Sequence, residues 1–219
     1  MSDQIANAAE TVVRSTSVRR AFLQRSAMVL APIALLSTVN SAEAVAYQTR
    51  DTRKLFKDIR DHENDHVDFL VKALGGAARP KPTFKNLPQP NFQAFVKISQ
   101  ALENTGVGAY LGATPAIENP GFLAAAASIA LVEARHAGVL NYLRDQPVTV
   151  GGKSFDEPLT PDQVVQAAGG FVASLNGGPD LTYSQTRSPQ NDVAILNFAL
   201  ALEYLEAEFY NVNYKRFFR

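Results

Sequence analysis

The chain has 219 residues, and its 21 basic side chains balance 21 acidic ones. It therefore lacks the excess of positive charge that is typical of proteins that bind nucleic acid. Cysteine is absent, which excludes disulfides, thiolate metal sites, iron–sulfur clusters and cysteine nucleophiles. With 46% hydrophobic residues, a chain of this length can bury one core without covalent staples. Histidine chemistry can use only His62, His66 and His136.

The N-terminal segment predicts an export signal in residues 1–44. Arg19 and Arg20 precede Phe22, and this string resembles a twin-arginine signal. Residues 27–39 form an apolar stretch too short and interrupted to span a membrane, and residues 42–44 fit a small-x-small cleavage site. An ordinary secretory signal and an uncleaved anchor are the alternatives. We expect an exported protein, periplasmic or extracellular, without a stable membrane span after signal removal.

The remaining residues, 45–219, are predicted to form one all-α domain. Hydrophobic periodicity predicts four long helices, at residues 51–74, 91–111, 121–143 and 190–217. Thr160, Pro161 and Gln163 predict the start of a short helix, and a hairpin arm is one interpretation of residues 148–152. The connections at 75–90 and 144–187 are too long for simple turns. The predicted fold class is therefore a four-helix bundle with long crossover connections.

The first and third long helices carry the same pattern of Ile, Glu, His and Leu at spacings of four, three and four. The residues are Ile59, Glu63, His66 and Leu70 in the first helix, and Ile129, Glu133, His136 and Leu140 in the third. These spacings place all four residues on one helix face, so the Glu and His lie within an apolar stripe. The other two long helices each place a tyrosine two turns after a glutamate, as Glu103 with Tyr110 and Glu203 with Tyr210.

Converging carboxylates inside an apolar core would repel one another and raise one another's pKa. Two divalent cations would compensate the four negative charges, and glutamate with imidazole suits iron or manganese. One Glu from each of two helices and a Glu-x-x-His from each of the other two is the ligand set of di-metal carboxylate bundles. The sequence therefore predicts two Fe or Mn ions, with metal ligands at Glu63, His66, Glu103, Glu133, His136 and Glu203.

Three further residues are predicted to support these ligands. Tyr110 and Tyr210 are either core aromatics or residues that contact the ligands. Glu206 lies one turn after Glu203 and belongs to a surrounding network, or replaces Glu203 as the ligand.

A second motif overlaps the first helix. His62, Glu63 and His66 fit the His-Glu-x-x-His signature of zinc proteases, in which the two histidines bind zinc and Glu63 is the base. Phe69 stands where the metzincin extension requires glycine. This interpretation leaves Glu133 and the other predicted ligands without a role, whereas the bundle interpretation leaves only His62 unused.

Four segments, at residues 63–70, 102–113, 125–137 and 195–210, resemble the ferritin-like domain family that includes plant desiccation-related proteins. The resemblance extends over about residues 50–217 and implies a four-helix bundle with a di-metal site at the six residues named above. In that family, the helix equivalent to residues 195–210 comes first in the chain. Here it comes last, so the chain resembles a circular permutation.

Together with the predicted export signal, the resemblance leads to the hypothesis of an exported di-metal protein that reacts with oxygen or peroxide, in a ferroxidase-like or catalase-like manner, or holds iron under stress. The alternative is a non-enzymatic stress or desiccation protein of the envelope, with a structural or vacant metal site. The expected partners are small oxygen species or metal ions. A homo-oligomer or a dimer that exchanges its last helix is also compatible with the sequence.

Overall fold

The computed structural model describes residues 41–218, with side chains from residue 51, and is mostly helical. The helices are α1 (Ser41–Leu74), α2 (Phe92–Ala113), α3 (Pro120–Leu143), α4 (Pro161–Ala168) and α5 (Pro189–Phe217). Two short strands, β1 (Thr83–Phe84) and β2 (Val172–Ser174), pair antiparallel. The predicted all-α class is confirmed. The twin-arginine string and the apolar stretch of the predicted signal lie outside the described residues.

The helices begin where short polar side chains cap them. The side chains of Asn91, Asn119 and Ser188 accept hydrogen bonds from backbone N–H groups in the first turns of α2, α3 and α5. Thr160 and Gln163 form the predicted capping box at the start of α4. The predicted hairpin arm at residues 148–152 is wrong. Residues 150–152 form a single 3₁₀ turn instead, and Gly151 and Gly152 adopt φ angles of 65° and 70° there.

Two apolar layers form the core, and each long helix contributes to both. The first layer includes Phe56, Ile59, Phe95, Leu140 and Phe209. The second layer includes Leu70, Tyr110, Ile129, Leu196 and Leu200. Because α1 and α2 run from the first layer to the second while α3 and α5 run back, each parallel pair needs a connection along the length of the bundle. The predicted long crossovers are confirmed.

The first crossover is hydrogen-bonded to α5. Asn197 accepts a hydrogen bond from the Arg79 backbone N–H at 2.6 Å and donates to the Ala77 carbonyl at 2.9 Å. Asn213 accepts from the Gln89 backbone N–H and donates to the Leu87 carbonyl, both at 2.9 Å. The pairing of β1 with β2 joins this crossover to the second one. These hydrogen bonds join α5 to the first crossover of the same chain.

Helix α3 is, among the described residues, long and apolar enough to cross a membrane by length and composition alone. About a third of that apolar stretch is buried inside the bundle, and the core helix of a water-soluble protein meets the same criterion. The same helix carries Glu133 and His136, whose side chains are buried among the other long helices.

Candidate metal centre

One glutamate from each long helix reaches the space between the two apolar layers. Glu63, Glu103, Glu133 and Glu203 come from α1, α2, α3 and α5 and are all 0% exposed. The Glu-x-x-His spacing adds one imidazole from α1 and one from α3. The structure thus brings together all six residues that the sequence predicted as ligands.

These residues form two overlapping groups of close ligand atoms. The first group is Glu63, His66, Glu133 and Glu203, and the second is Glu63, Glu103, Glu133 and His136. Within each group the ligand atoms lie within 4.8 Å of one another. Both groups include the glutamates of the two Glu-x-x-His helices. Each group could hold a metal ion, and the shared glutamates lie where they could bind both.

The imidazoles divide the cluster into two halves. His66 Nδ1 lies 3.2 Å from Glu133 Oε1 and 3.2 Å from Glu203 Oε2. His136 Nδ1 lies 2.9 Å from Glu63 Oε1 and 3.1 Å from Glu103 Oε2. His66 Nδ1 also lies 3.3 Å from Glu63 Oε2, so each histidine faces the glutamate of its own half and at least one shared glutamate.

His62 does not join His66 in either group. Its Nδ1 lies 2.9 Å from Nε2 of His136 instead. A zinc protease of the His-Glu-x-x-His type needs both histidines of the motif on one ion. The described residues do not assemble that arrangement.

Each of the two tyrosines donates a hydrogen bond to a glutamate on a different helix. The Tyr110 hydroxyl donates to Glu203 Oε1 at 2.5 Å, and the Tyr210 hydroxyl donates to Glu103 Oε1 at 2.6 Å. Burial and the facing carboxylate raise the pKa of each tyrosine well above its usual value. Each hydroxyl stays protonated and holds one carboxylate oxygen, which leaves the other oxygen facing a histidine.

The charges of the cluster are compensated by protons. Burial lowers the pKa of both His66 and His136, but the adjacent carboxylates outweigh burial and raise it to about 10. Burial raises the pKa of Glu63, but the two imidazoles beside it outweigh burial and lower it to about 2. Burial, together with the charges of Glu63 and Glu103, raises the pKa of Glu133 well above its usual value.

Glu133 shows most directly that the cluster fits cations. Among the described residues neither of its oxygens has a hydrogen-bond partner; Oε1 lies 3.2 Å from His66 Nδ1, and Oε2 has no ion-pair partner either. A buried carboxylate without partners is costly, and a bound cation removes that cost. Glu133 is one of the two glutamates that the groups share, so either ion could be bound by this carboxylate.

One contributor to the site, Gly106, could not be identified as such from the sequence, whereas Glu206 was predicted as a residue that surrounds the ligands. Gly106 counts against a helix by propensity, yet a Cβ there would lie 2.9 Å from Glu133 Oε2 and 3.6 Å from Glu206 Oε1. The glycine makes room for these carboxyl groups. Glu206 is buried beside the cluster but belongs to neither group, and burial, with the charges of Glu103 and Glu63, raises its pKa well above the usual value.

A family comparison agrees with this geometry. The family model described as ferritin-like domain matches residues 19–146 and 191–218, which is more than half of the chain. The chain belongs to the ferritin-like domain family. The predicted family is therefore confirmed for this ferritin-like protein, and the match omits the second crossover. No match was found among curated proteins or among solved structures.

Proposed function

We propose that this ferritin-like protein holds two iron or manganese ions and uses them to handle dioxygen, peroxide or iron. The main support for the proposal is the buried Glu133 carboxylate, which belongs to both groups of ligand atoms and has no hydrogen-bond partner among the described residues. Glu63 and Glu133 would be shared by both ions. Glu203 with His66 would complete one set of ligands, and Glu103 with His136 the other.

Such ions, when bound, supply redox and Lewis-acid chemistry toward small oxygen species. The chain itself holds the ligands in place. Tyr110 and Tyr210 fix the carboxylates of Glu203 and Glu103, and the two apolar layers keep bulk water from the glutamates between them. A dry surrounding strengthens the attraction between the carboxylates and a cation.

A small cavity beside Tyr110 supports dioxygen, rather than peroxide, as the molecule that reaches the metal centre. Its volume is about 20 Å³, and a cavity needs about 10–15 Å³ to hold a molecule the size of water. The wall is almost wholly apolar and includes Leu70, Ala126, Ala199 and Leu202. An apolar diatomic gas matches this lining better than peroxide does, because peroxide would leave its hydrogen bonds unmade.

The metal content of purified protein, expressed with iron and manganese supplied, tests the proposal. We expect about two ions per chain and consumption of dioxygen or peroxide. Two bound but unreactive ions would favour the non-enzymatic alternative, a stress protein of the envelope. Stoichiometric zinc that requires His62 and is indifferent to Glu133→Ala would contradict the di-metal proposal in favour of a zinc protease.

Metal affinity should increase with pH. In the metal-free site the pKa of His66 and of His136 is raised to about 10, so both imidazoles carry protons at neutral pH that an ion must displace. Titration calorimetry with Mn²⁺ between about pH 6 and about pH 8, in buffers of different ionisation heat, measures affinity and proton release together. Binding that is independent of pH and releases no protons would contradict this expectation.

Export is a separate proposal, supported by the sequence of residues 1–44. A reporter fused to residues 1–50 should leave the cytoplasm, and the double change Arg19→Lys with Arg20→Lys should retain it there. Continued export of the double variant would reject the twin-arginine route and favour an ordinary secretory signal. The role under stress that the resemblance implies stays a prediction.

We also propose that the chain is circularly permuted relative to desiccation-related members of the family. The end of α5 lies beside α1, where the Arg53 guanidinium donates a hydrogen bond to the Phe218 carbonyl and the Phe56 and Phe218 rings are 5.7 Å apart. A short linker could therefore join α5 to α1 and restore the family's helix order. A chain rearranged to begin near Ser188 and end near Arg187 should keep its helix content and its metal binding, and loss of both would count against the permutation.

A further inference from the structure

The third histidine has a defined contact with the metal centre. His62 is exposed on α1, directly before Glu63, and its Nδ1 lies 2.9 Å from Nε2 of His136. The two ring planes differ by 9°, and the ring centroids are 5.2 Å apart. Because the two nitrogens are much closer than the centroids, the rings meet edge to edge, as a hydrogen bond between imidazoles requires.

The direction of this hydrogen bond follows from the other side of the His136 ring. Nδ1 of His136 faces the cluster, 2.9 Å from Glu63 Oε1 and 3.1 Å from Glu103 Oε2. A histidine that binds a metal through one nitrogen keeps its proton on the other. Nε2–H of His136 therefore donates, Nδ1 of His62 accepts, and the remaining nitrogen of His62 carries the proton.

We propose that His62 is a positioning residue that orients His136 and so makes the two metal positions unequal. The inference rests on the proposed function, because it assigns His62 a role toward the same pair of ions. The matched residue of the third helix, directly before Glu133, is Val132, whose side chain cannot accept a hydrogen bond. At the metal position formed by Glu103 and His136, the hydrogen bond to His62 fixes the His136 ring. This position therefore binds its ion more tightly. The position at Glu203 and His66, which adjoins the apolar cavity at Tyr110, binds its ion less tightly.

Calorimetric titration with Mn²⁺ alone, on the full chain, tests this inequality. The wild type should show two affinities, and His62→Ala should weaken the tighter one about 10- to 100-fold and leave the other unchanged. His62→Asn keeps an acceptor oxygen and should restore part of the loss. Val132→Ala, at the matched position, should change neither affinity. Unchanged affinities in His62→Ala, or an equal loss in both, would overturn the proposal.

A second measurement does not need the metal. In metal-free protein labelled with ¹⁵N at histidine, we expect a scalar coupling across the hydrogen bond between His136 Nε2 and His62 Nδ1. The coupling should disappear in His62→Ala and persist in Val132→Ala. A wild-type spectrum without the coupling would overturn the proposal. A protein that shows the coupling but binds no Mn²⁺ would support the hydrogen bond and reject the metal centre of the preceding subsection.

Discussion

Glu133→Ala should abolish the binding of both ions, whereas Glu203→Ala should remove only one. Glu133 belongs to both groups of ligand atoms, and Glu203 belongs only to the group that contains His66. Elemental analysis and Mn²⁺ titration should therefore give no bound ion for the first variant and about one per chain for the second. Both variants should keep the helix content, because alanine is the strongest helix former.

Glu206→Ala is the matched control for these two changes. Glu206 is as deeply buried as the ligands and lies one turn after Glu203, but it belongs to neither group. We expect it to keep two ions per chain. Loss of an ion in Glu206→Ala with no effect of Glu203→Ala would shift the ligand register of α5 by one turn. Loss of one ion rather than two in Glu133→Ala would show that Glu133 is not shared.

Hydrophobic periodicity in the sequence is enough to predict most of the fold and the positions of the six residues that converge at the site. A Glu and a His within an apolar stripe must face the core, since helix geometry fixes which residues share a face. Both Glu-x-x-His motifs could therefore be placed without knowing how the helices pack. The polar N-caps define helix starts in the same local way, as Thr160 and Ser188 illustrate.

The sequence pattern could not predict which side chains on different helices contact one another. Tyr110 is in register with Glu103 on its own helix but donates to Glu203 on α5, because side chains two turns apart are too distant to meet. His62 seemed unused since its partner, His136, lies 74 residues away. The composition of residues 148–152 favours a strand. In the structure, β1 pairs instead with residues 172–174. Which segment pairs with β1 depends on how the two crossovers pack.

Ending the chain at Arg187, and so removing α5, should abolish both metal binding and cooperative unfolding. Helix α5 supplies fully or almost fully buried side chains to both apolar layers, among them Leu200, Leu205, Phe209 and Tyr210. Burial of one such side chain is worth about 1.5–3 kcal/mol, so their combined loss is comparable with the whole stability of a typical domain. The site would also lose Glu203, and Glu103 would lose its hydrogen bond from Tyr210.

The truncated chain also offers a test of whether α5 acts by docking. A synthetic peptide of residues 188–219 carries the Ser188 cap, the apolar stripe and the hydrogen-bonding groups of Asn197 and Asn213 that contact the first crossover. Added in trans, it should restore helix content by circular dichroism and Mn²⁺ binding together, because the same helix completes the core and the ligand set. A peptide with Glu203→Ala should restore the helix content but leave one ion unbound. Full metal binding by the truncated chain without any peptide would show that α5 is not part of the site.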